Sequence, residues 1–203
     1  MRFSIILPSH NGEDRIEKAL SSIESQTFKD YELIVVCDAC DDRTEEIALQ
    51  HNARVLKTPY RRAGLARNDG IAMAQGEYLM FMDDDDYWIN SEVLERVDAK
   101  LKETNDALDV LCFAFLFNGM HYADCRDANG SYWTAVWNKC WRRSFVKDCK
   151  FSDAIVGSDV AFTNWVLVKK PVIAEWQVPL YIYNHMREGS ITETEARRKR
   201  GLL

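Results

Sequence analysis

Apolar positions in the first half of the chain fall into short blocks that switch between two periods. Phe3 to Leu7 is a brief apolar run closed by Pro8. From Asp14 to Ile23, Ile16, Ala19, Leu20 and Ile23 recur at the spacing of one helical face. Leu33 to Val36 is an unbroken, mostly β-branched run, the pattern of a strand buried on both sides. Arg43 to Gln50 reads as helix, Ala53 to Leu56 as strand, and Leu65 to Ala74 as helix with Gly76 as its C-cap. Tyr78 to Met82 is another buried strand and runs directly into Asp83, Asp84, Asp85 and Asp86. This β-α-β-α-β-α-β alternation predicts an α/β fold with an open, mostly parallel sheet flanked by helices.

The second half changes character. Glu92 to Leu101 has the apolar face of an amphipathic helix, and Val110 to Phe117 is an eight-residue apolar strand. Aromatic residues then crowd in, among them Trp133, Trp137, Trp141, Phe145, Phe151 and Phe162. Val160 to Val168 reads as helix and Pro179 to Tyr183 as strand. The stretch from Thr192 to Leu203 is polar and basic. No internal repeat or linker interrupts the 203 residues, a length suited to one buried core.

Composition narrows the classes. Apolar residues make up 47% and charged residues 29%, which is ordinary for a globular chain. A formal net charge of -6 argues against non-specific attachment to a nucleic-acid backbone. No apolar stretch approaches the length needed to span a bilayer, and the first run is too short for a signal-peptide core, so a cytoplasmic protein is the expectation. Cys37 and Cys40 form a C-x-x-C without a second such pair, so they are expected as free thiols at a strand end rather than a zinc knuckle.

The chemistry concentrates where strands stop. In open parallel sheets, ligands bind beyond the carboxyl ends of the strands. Ser9 to Asn11, Asp38, and Asp83 to Asp86 all fall at that edge. Four consecutive carboxylates repel one another, and a bound cation relieves that repulsion. Oxygen ligands of this kind select Mg²⁺ or Mn²⁺, usually shared with substrate phosphates. The alternative is a solvated acidic loop.

Several segments then carry a family resemblance. Pro8-Ser9-His10-Asn11-Gly12-Glu13 is similar to the opening P-x-Y-N-x-E of family 2 glycosyltransferases with the GT-A fold. Gly64 through Ala66-Arg67-Asn68 to Ile71, then Ala74-Gln75-Gly76-Glu77-Tyr78 and Asp83-Asp84-Asp85-Asp86-Tyr87-Trp88, resemble that family's G-x-x-x-A-R-N-x-G-I, A-x-G-E-Y and D-x-D-D-x-W. Val136-Trp137-Asn138-Lys139, Arg142-Arg143, Ser158-Asp159, Tyr183 and Arg187 to Thr192 resemble its acceptor-side elements in order.

The resemblance implies a single GT-A domain over 1–203, a Rossmann-like sheet with a smaller acceptor-side region. Residues 1–88 would form the nucleotide-sugar half, 89–192 the acceptor-side half and 193–203 a basic tail. It implies transfer of a sugar from a nucleoside diphosphate donor to an acceptor hydroxyl, with inversion and a Mn²⁺ or Mg²⁺ ion. Asp85 is then the leading metal ligand, with Asp83 and His185 beside it. Pro8, Ser9, Asn11, Glu13, Asp38, Arg67, Asp83, Asp84 and Arg187 face the donor nucleotide, and Asp86 and Trp137 a sugar. Asp159 is the general base, or alternatively a helix cap.

The family's D-D-G-S-x-D is replaced by Cys37-Asp38-Ala39-Cys40-Asp41-Asp42, which leaves the donor base open, with a UDP-sugar the first expectation. Expected acceptors are a surface glycan or lipid-linked glycan. Arg197-Arg198-Lys199-Arg200 with Leu202 and Leu203 is either a peripheral membrane contact or a solvated tail. A nucleotidyltransferase and a non-catalytic nucleotide-sugar-binding module are the competing readings. The first would need a triphosphate-binding loop, and no lysine- and glycine-rich loop follows the first strand.

Overall fold

Where the apolar run is unbroken, the strand is buried from both sides by helices. The computed structural model describes residues 1–185. β1 (Phe3–Ser9) and β2 (Tyr31–Asp38) are buried along nearly their whole length, whereas β3 (Arg54–Thr58), at the sheet edge, leaves Arg54 and Lys57 exposed and Val55 and Leu56 half-buried. α1 (Ile16–Glu24) buries Ile16, Ala19, Leu20 and Ile23, the same set its spacing predicts. α2 (Thr44–Gln50) and α3 (Ala63–Met73) connect the next strands, and β4 (Tyr78–Phe81) returns to the centre.

β1 pairs in parallel with both β2 and β4, and β2 with β3. The order β3-β2-β1-β4 therefore reverses direction between β1 and β4. Such a reversal leaves a crevice at the carboxyl ends of the two strands, because their crossover helices depart to opposite faces.

The second half continues the sheet: β5 (Tyr87–Trp88), α4 (Val93–Glu103), β6 (Val110–Phe117), β7 (His121–Ala123), β8 (Lys139–Arg142), α5 (Arg143–Val146), α6 (Ser158–Val168) and β9 (Ile173–Tyr183). β8 enters antiparallel to β4, and the order runs on as β8-β6-β9-β5, with β7 beside β6. Helices α1 and α4 pack one apolar cluster against one face of the sheet, and α3 and α6 pack another against the opposite face. The expected α/β architecture is the one observed. Among the described residues no helix is long and apolar enough to cross a membrane.

Two local expectations change. α3 stops at Met73, with extended Ala74 as its cap, so Gly76 is not the C-cap. A Cβ on Gly76 would lie 2.5 Å from the backbone of Phe3 and Ser4, and its N–H donates to Ser4 Oγ at 2.8 Å. Glycine is there for close approach of two strands. β9 begins at Ile173, six residues before Pro179, because the pairing of β6 and β9 slips where Pro179 lies opposite Ala114. A bulge absorbs the N–H that proline lacks.

Buried Lys139 organises the aromatic-rich segment before β8. Its Nζ donates to the Trp133 and Ala135 carbonyls and to Asn138 Oδ1, each at 2.7 Å. Burial pushes its pKa down to about 8. Three acceptors match the three protons of an ammonium, which offsets much of that desolvation.

Candidate active site

The crevice between β1 and β4 opens into a cleft of about 480 Å³. Its lining includes Pro8, Ser9, Asp38, Arg67, Asp83, Asp84, Asp85 and Asp159. The ends of β1, β2 and β4 and the start of α6 thus converge on one volume. Local sequence explains the arrival of each: the strands are apolar until they reach the sheet edge, and polar residues begin where burial stops.

Each aspartate after β4 has its own partner. Arg67, projecting from α3, bridges Asp83 and Asp159: Nη2 donates to Asp83 Oδ1 at 2.5 Å and Nη1 to Asp159 Oδ1 at 2.9 Å. Burial opposes the charge on this guanidinium, but the two carboxylates outweigh it and raise its pKa further. Burial, with the Asp159 and Asp85 carboxylates nearby, pushes Asp83 up to about 6 despite Arg67. Arg67 Nε is buried and has no hydrogen-bond partner among the described residues.

Asp84 is gripped from the other side. Arg15 Nε and Nη2 donate to its two oxygens at 2.9 Å each, and Ser9 Oγ donates at 2.5 Å. Burial nevertheless raises its pKa, because desolvation exceeds these gains. Gly12 permits the approach, since a Cβ there would stand 2.3 Å from Ser9 Oγ and 2.8 Å from Asp84 Oδ2.

Asp86 is a correction to its expected contact with a sugar or metal. It is fully buried and outside the cleft lining, and it accepts from Tyr181 Oη at 2.7 Å and from the Asn184 N–H at 2.8 Å. Tyr181 Oη also accepts the Asp83 N–H at 3.1 Å, and Asn184 Nδ2 donates to the Asp85 carbonyl. Asp86 therefore anchors the acidic turn to β9. Burial and then the Asp83 and Asp85 carboxylates raise its pKa well above the usual range.

Trp137 is a second correction. Its ring is buried and stacked on Tyr181 at 4.6 Å and Tyr183 at 4.9 Å, so its faces are covered and it belongs to the core. Asn11 and Glu13 are a third. Asn11 exchanges hydrogen bonds with Asp41, and Glu13 accepts the Arg43 N–H at 3.0 Å. Both fasten the loop after β2 instead of lining the cleft. Arg187 and the basic tail lie outside the described residues.

Asp38 lines the cleft with its carboxylate already committed. It accepts from Thr58 Oγ1 at 2.9 Å and from the N–H groups of Tyr60 and Arg62 at 2.7 and 2.6 Å. Ala39, where the resembling motif has glycine, sits at φ 55. That left-handed conformation costs an alanine about 1–2 kcal/mol.

Asp159 does not cap α6: Gly157 holds the cap position, and the Asp159 carboxylate turns to Arg67. Among the described residues no group of three or more His, Cys, Asp or Glu side chains could enclose an ion alone. Mg²⁺ and Mn²⁺ bind through one or two carboxylates and complete their shell with phosphate oxygens and water, and Asp83 and Asp85 of the cleft lining are carboxylates of that kind. His185 packs against Phe117 and Tyr183, outside the cleft lining, with Nδ1 buried and without a hydrogen-bond partner among the described residues.

Sequence reasoning missed Arg15, Tyr181 and Asn184. Nothing in their neighbourhood marks them, because Arg15 meets Asp84 across 69 positions and Tyr181 meets Asp86 across 95. It also missed Arg61 and Arg62, which line the cleft beside Asp38.

Comparison with known proteins adds an independent line. The model of the family "Glycosyl transferase family 2" matches residues 4–174. A poly(ribitol-phosphate) beta-glucosyltransferase of Bacillus spizizenii is 40% identical over 105 residues, covering 47% of this chain and 16% of that enzyme. S. aureus TarS 1-349, solved in complex with UDP, superposes with a TM-score of 0.80 at 25% identity, over 91% of this chain and 60% of that one. Glucosyl-3-phosphoglycerate synthase from Mycobacterium tuberculosis, solved with Mn²⁺, UDP and glucosyl-3-phosphoglycerate, shares the fold at a TM-score of 0.66 and 19% identity, over 98% of this chain and 76% of that one. The chain thus spans about a sixth of the length of the glucosyltransferase and under two thirds of the TarS chain.

Proposed function

The chain belongs to glycosyl transferase family 2, and from that premise we propose that it moves a sugar from a nucleoside diphosphate donor, UDP first, to a hydroxyl of a surface or lipid-linked glycan with inversion. One observation carries this reading: the strand-end carboxylates and Asp159 share a single cleft, in which one buried arginine bridges Asp83 to Asp159. The UDP held by TarS and the glucosyl transfer named for the Bacillus enzyme support the donor class.

In this reading residues 1–88 hold the donor and 89–192 face the acceptor, with the protein acting in the cytoplasm or at the inner face of the membrane. Pro8, Ser9 and Asp38 receive the nucleoside. Asp85 and Asp83 of the cleft lining would hold Mn²⁺ or Mg²⁺ together with phosphate oxygens and water, while His185, the third expected ligand, lies outside that lining. Such an ion, when bound, neutralises charge on the departing diphosphate. Asp159 takes the proton of the acceptor hydroxyl as its oxygen bonds to the anomeric carbon, and the bond from that carbon to the diphosphate oxygen breaks. Arg67 keeps the Asp159 carboxylate oriented and leaves its second oxygen for the acceptor.

A thermal-shift and product-release panel of UDP-, GDP- and dTDP-sugars, with and without Mn²⁺, tests this. Binding to the folded state raises Tm by mass action. The expected outcome is stabilisation by a UDP-sugar that needs Mn²⁺, together with slow release of UDP. No response to any sugar nucleotide in Mn²⁺ overturns the proposal.

A further inference from the structure

α6 carries apolar side chains on both of its faces. Phe162, Thr163 and Val166 point inward, where Phe162 stacks on Phe151 at 4.2 Å and meets Trp141 edge-on. The outward face presents Val160, Trp165 and Val168, at 41%, 47% and 78% exposure. Positions 160, 164–165 and 168 lie on one side of a helix, so these form a stripe interrupted by Asn164. Ile155 and Val156 extend the stripe into the cleft mouth next to Asp159, and Val172 extends it beyond the helix end. Six of the eleven exposed large apolar residues among those described fall between 155 and 172, so the exposure is concentrated rather than scattered.

A helix apolar all round is ordinarily covered on both sides. At 11 residues α6 is far too short to span a bilayer, which takes about 20. Its margin is basic. Exposed Lys169 and Lys170 end the helix, and Lys169 Nζ reaches the Phe145 carbonyl, which draws α5 and the exposed Lys147 to that end. Over residues 147–170 four lysines face three aspartates, one of which, Asp159, is already paired to Arg67. The chain as a whole is at -6, so this margin stands out in sign. Lysine is depleted at protein–protein contacts but is favoured, with tryptophan, at the boundary between lipid headgroups and acyl chains.

We infer that the outer face of α6, from Ile155 to Val172, docks on an anionic lipid surface and presents the Asp159 end of the cleft to acceptors held there. Trp165 and Val168 enter the headgroup boundary, and Lys169, Lys170 and Lys147 meet lipid phosphates. The inference rests on the transfer reading only for the direction from which the acceptor enters, because docking itself requires no turnover.

Flotation of the full chain with vesicles of phosphatidylcholine, alone or mixed with phosphatidylglycerol, is the test. The intact chain should float with the mixed vesicles and little with the neutral ones. Trp165→Ser with Val168→Ser should weaken binding about tenfold, since two exposed apolar side chains are withdrawn from lipid. Lys169→Glu with Lys170→Glu should lose at least about fivefold per position on mixed vesicles only. All four positions are exposed and outside the cleft lining, so both doubles should keep the wild-type donor thermal shift. Flotation unchanged in the doubles, or absent in the intact chain, overturns the inference. So does a solution dimer that Trp165→Ser dissociates, which would assign the face to a second copy. An intact chain that binds donor but no vesicles sinks this inference alone, whereas vesicle binding by an intact chain without any donor response sinks the transfer reading alone.

Discussion

On the parallel side of the sheet, Ser9, Asp38 and Asp83 each stand at or just beyond a strand end, so position along the chain already places them at the cleft. On the mixed side, Asp159, Tyr181 and Asn184 arrive from a helix start, the interior of a strand and the residue after it, and their partners lie 92 to 98 positions away. The first side supplies the cleft edge through backbone topology. The second locks it through side chains. An edge of ionised aspartates is costly to hold together, and the lock is what offsets that cost.

Substitutions can break this contrast. Asp159→Asn should cause the largest loss, because it removes the proposed base while leaving an oxygen for Arg67. The rate of nucleoside diphosphate release in the presence of acceptor should fall about 10²- to 10⁴-fold. Urea unfolding should be nearly unchanged. A variant at full rate would reduce Asp159 to a partner of Arg67.

Arg67→Met should damage both sides at once. It leaves Asp83 and Asp159 facing each other without the charge between them, and removing one partner of a buried pair costs about 3–5 kcal/mol. Both carboxylates keep about a quarter of their exposure, so the lower end of that range is expected. Urea unfolding measures it, and a variant as stable as the wild type would show that the two halves do not depend on this bridge.

Glu32→Gln, remote from the cleft, should have the smallest effect and touch stability alone. Burial raises the Glu32 carboxyl, but hydrogen bonds from Ser4 Oγ at 2.7 Å, the Gln75 N–H at 2.6 Å and Arg54 outweigh it, so its pKa is lowered from 4.5. A lowered folded-state pKa means the unfolded chain takes up the proton first as pH falls. The stabilisation is therefore complete above about pH 4.5 and is lost as pH drops through the folded value. At pH 7 the glutamine variant should be about 1–3 kcal/mol less stable, with turnover unchanged. The gap in Tm should narrow on acidification. A gap that widens instead would reverse the assignment.

Much of this is legible in the sequence. The helical spacing of Ile16, Ala19, Leu20 and Ile23 is the buried face of α1, and the acidic run begins where β4 ends. Asp86 and Trp137 were misread for one reason. A carboxylate beside three others and a tryptophan in an aromatic-rich segment carry the same local pattern whether they face a ligand or the core. Partners on and after β9 distinguish the cases: Tyr181 bonds the first and stacks on the second, joined by the Asn184 N–H and the Tyr183 ring.

Periodicity and the abruptness of polar positions after apolar runs thus determined the element order of the first half, its parallel pairing and the edge at which carboxylates gather, but not the short antiparallel strands of the second half. These depend on burial of neighbours along the chain. Tertiary structure decided which of those carboxylates is available, because each is committed or left by a partner from another part of the sequence: Arg15 for Asp84, Arg67 for Asp83, Tyr181 for Asp86. Distance along the chain carries no information about such pairs until the sheet closes and brings them within hydrogen-bonding reach.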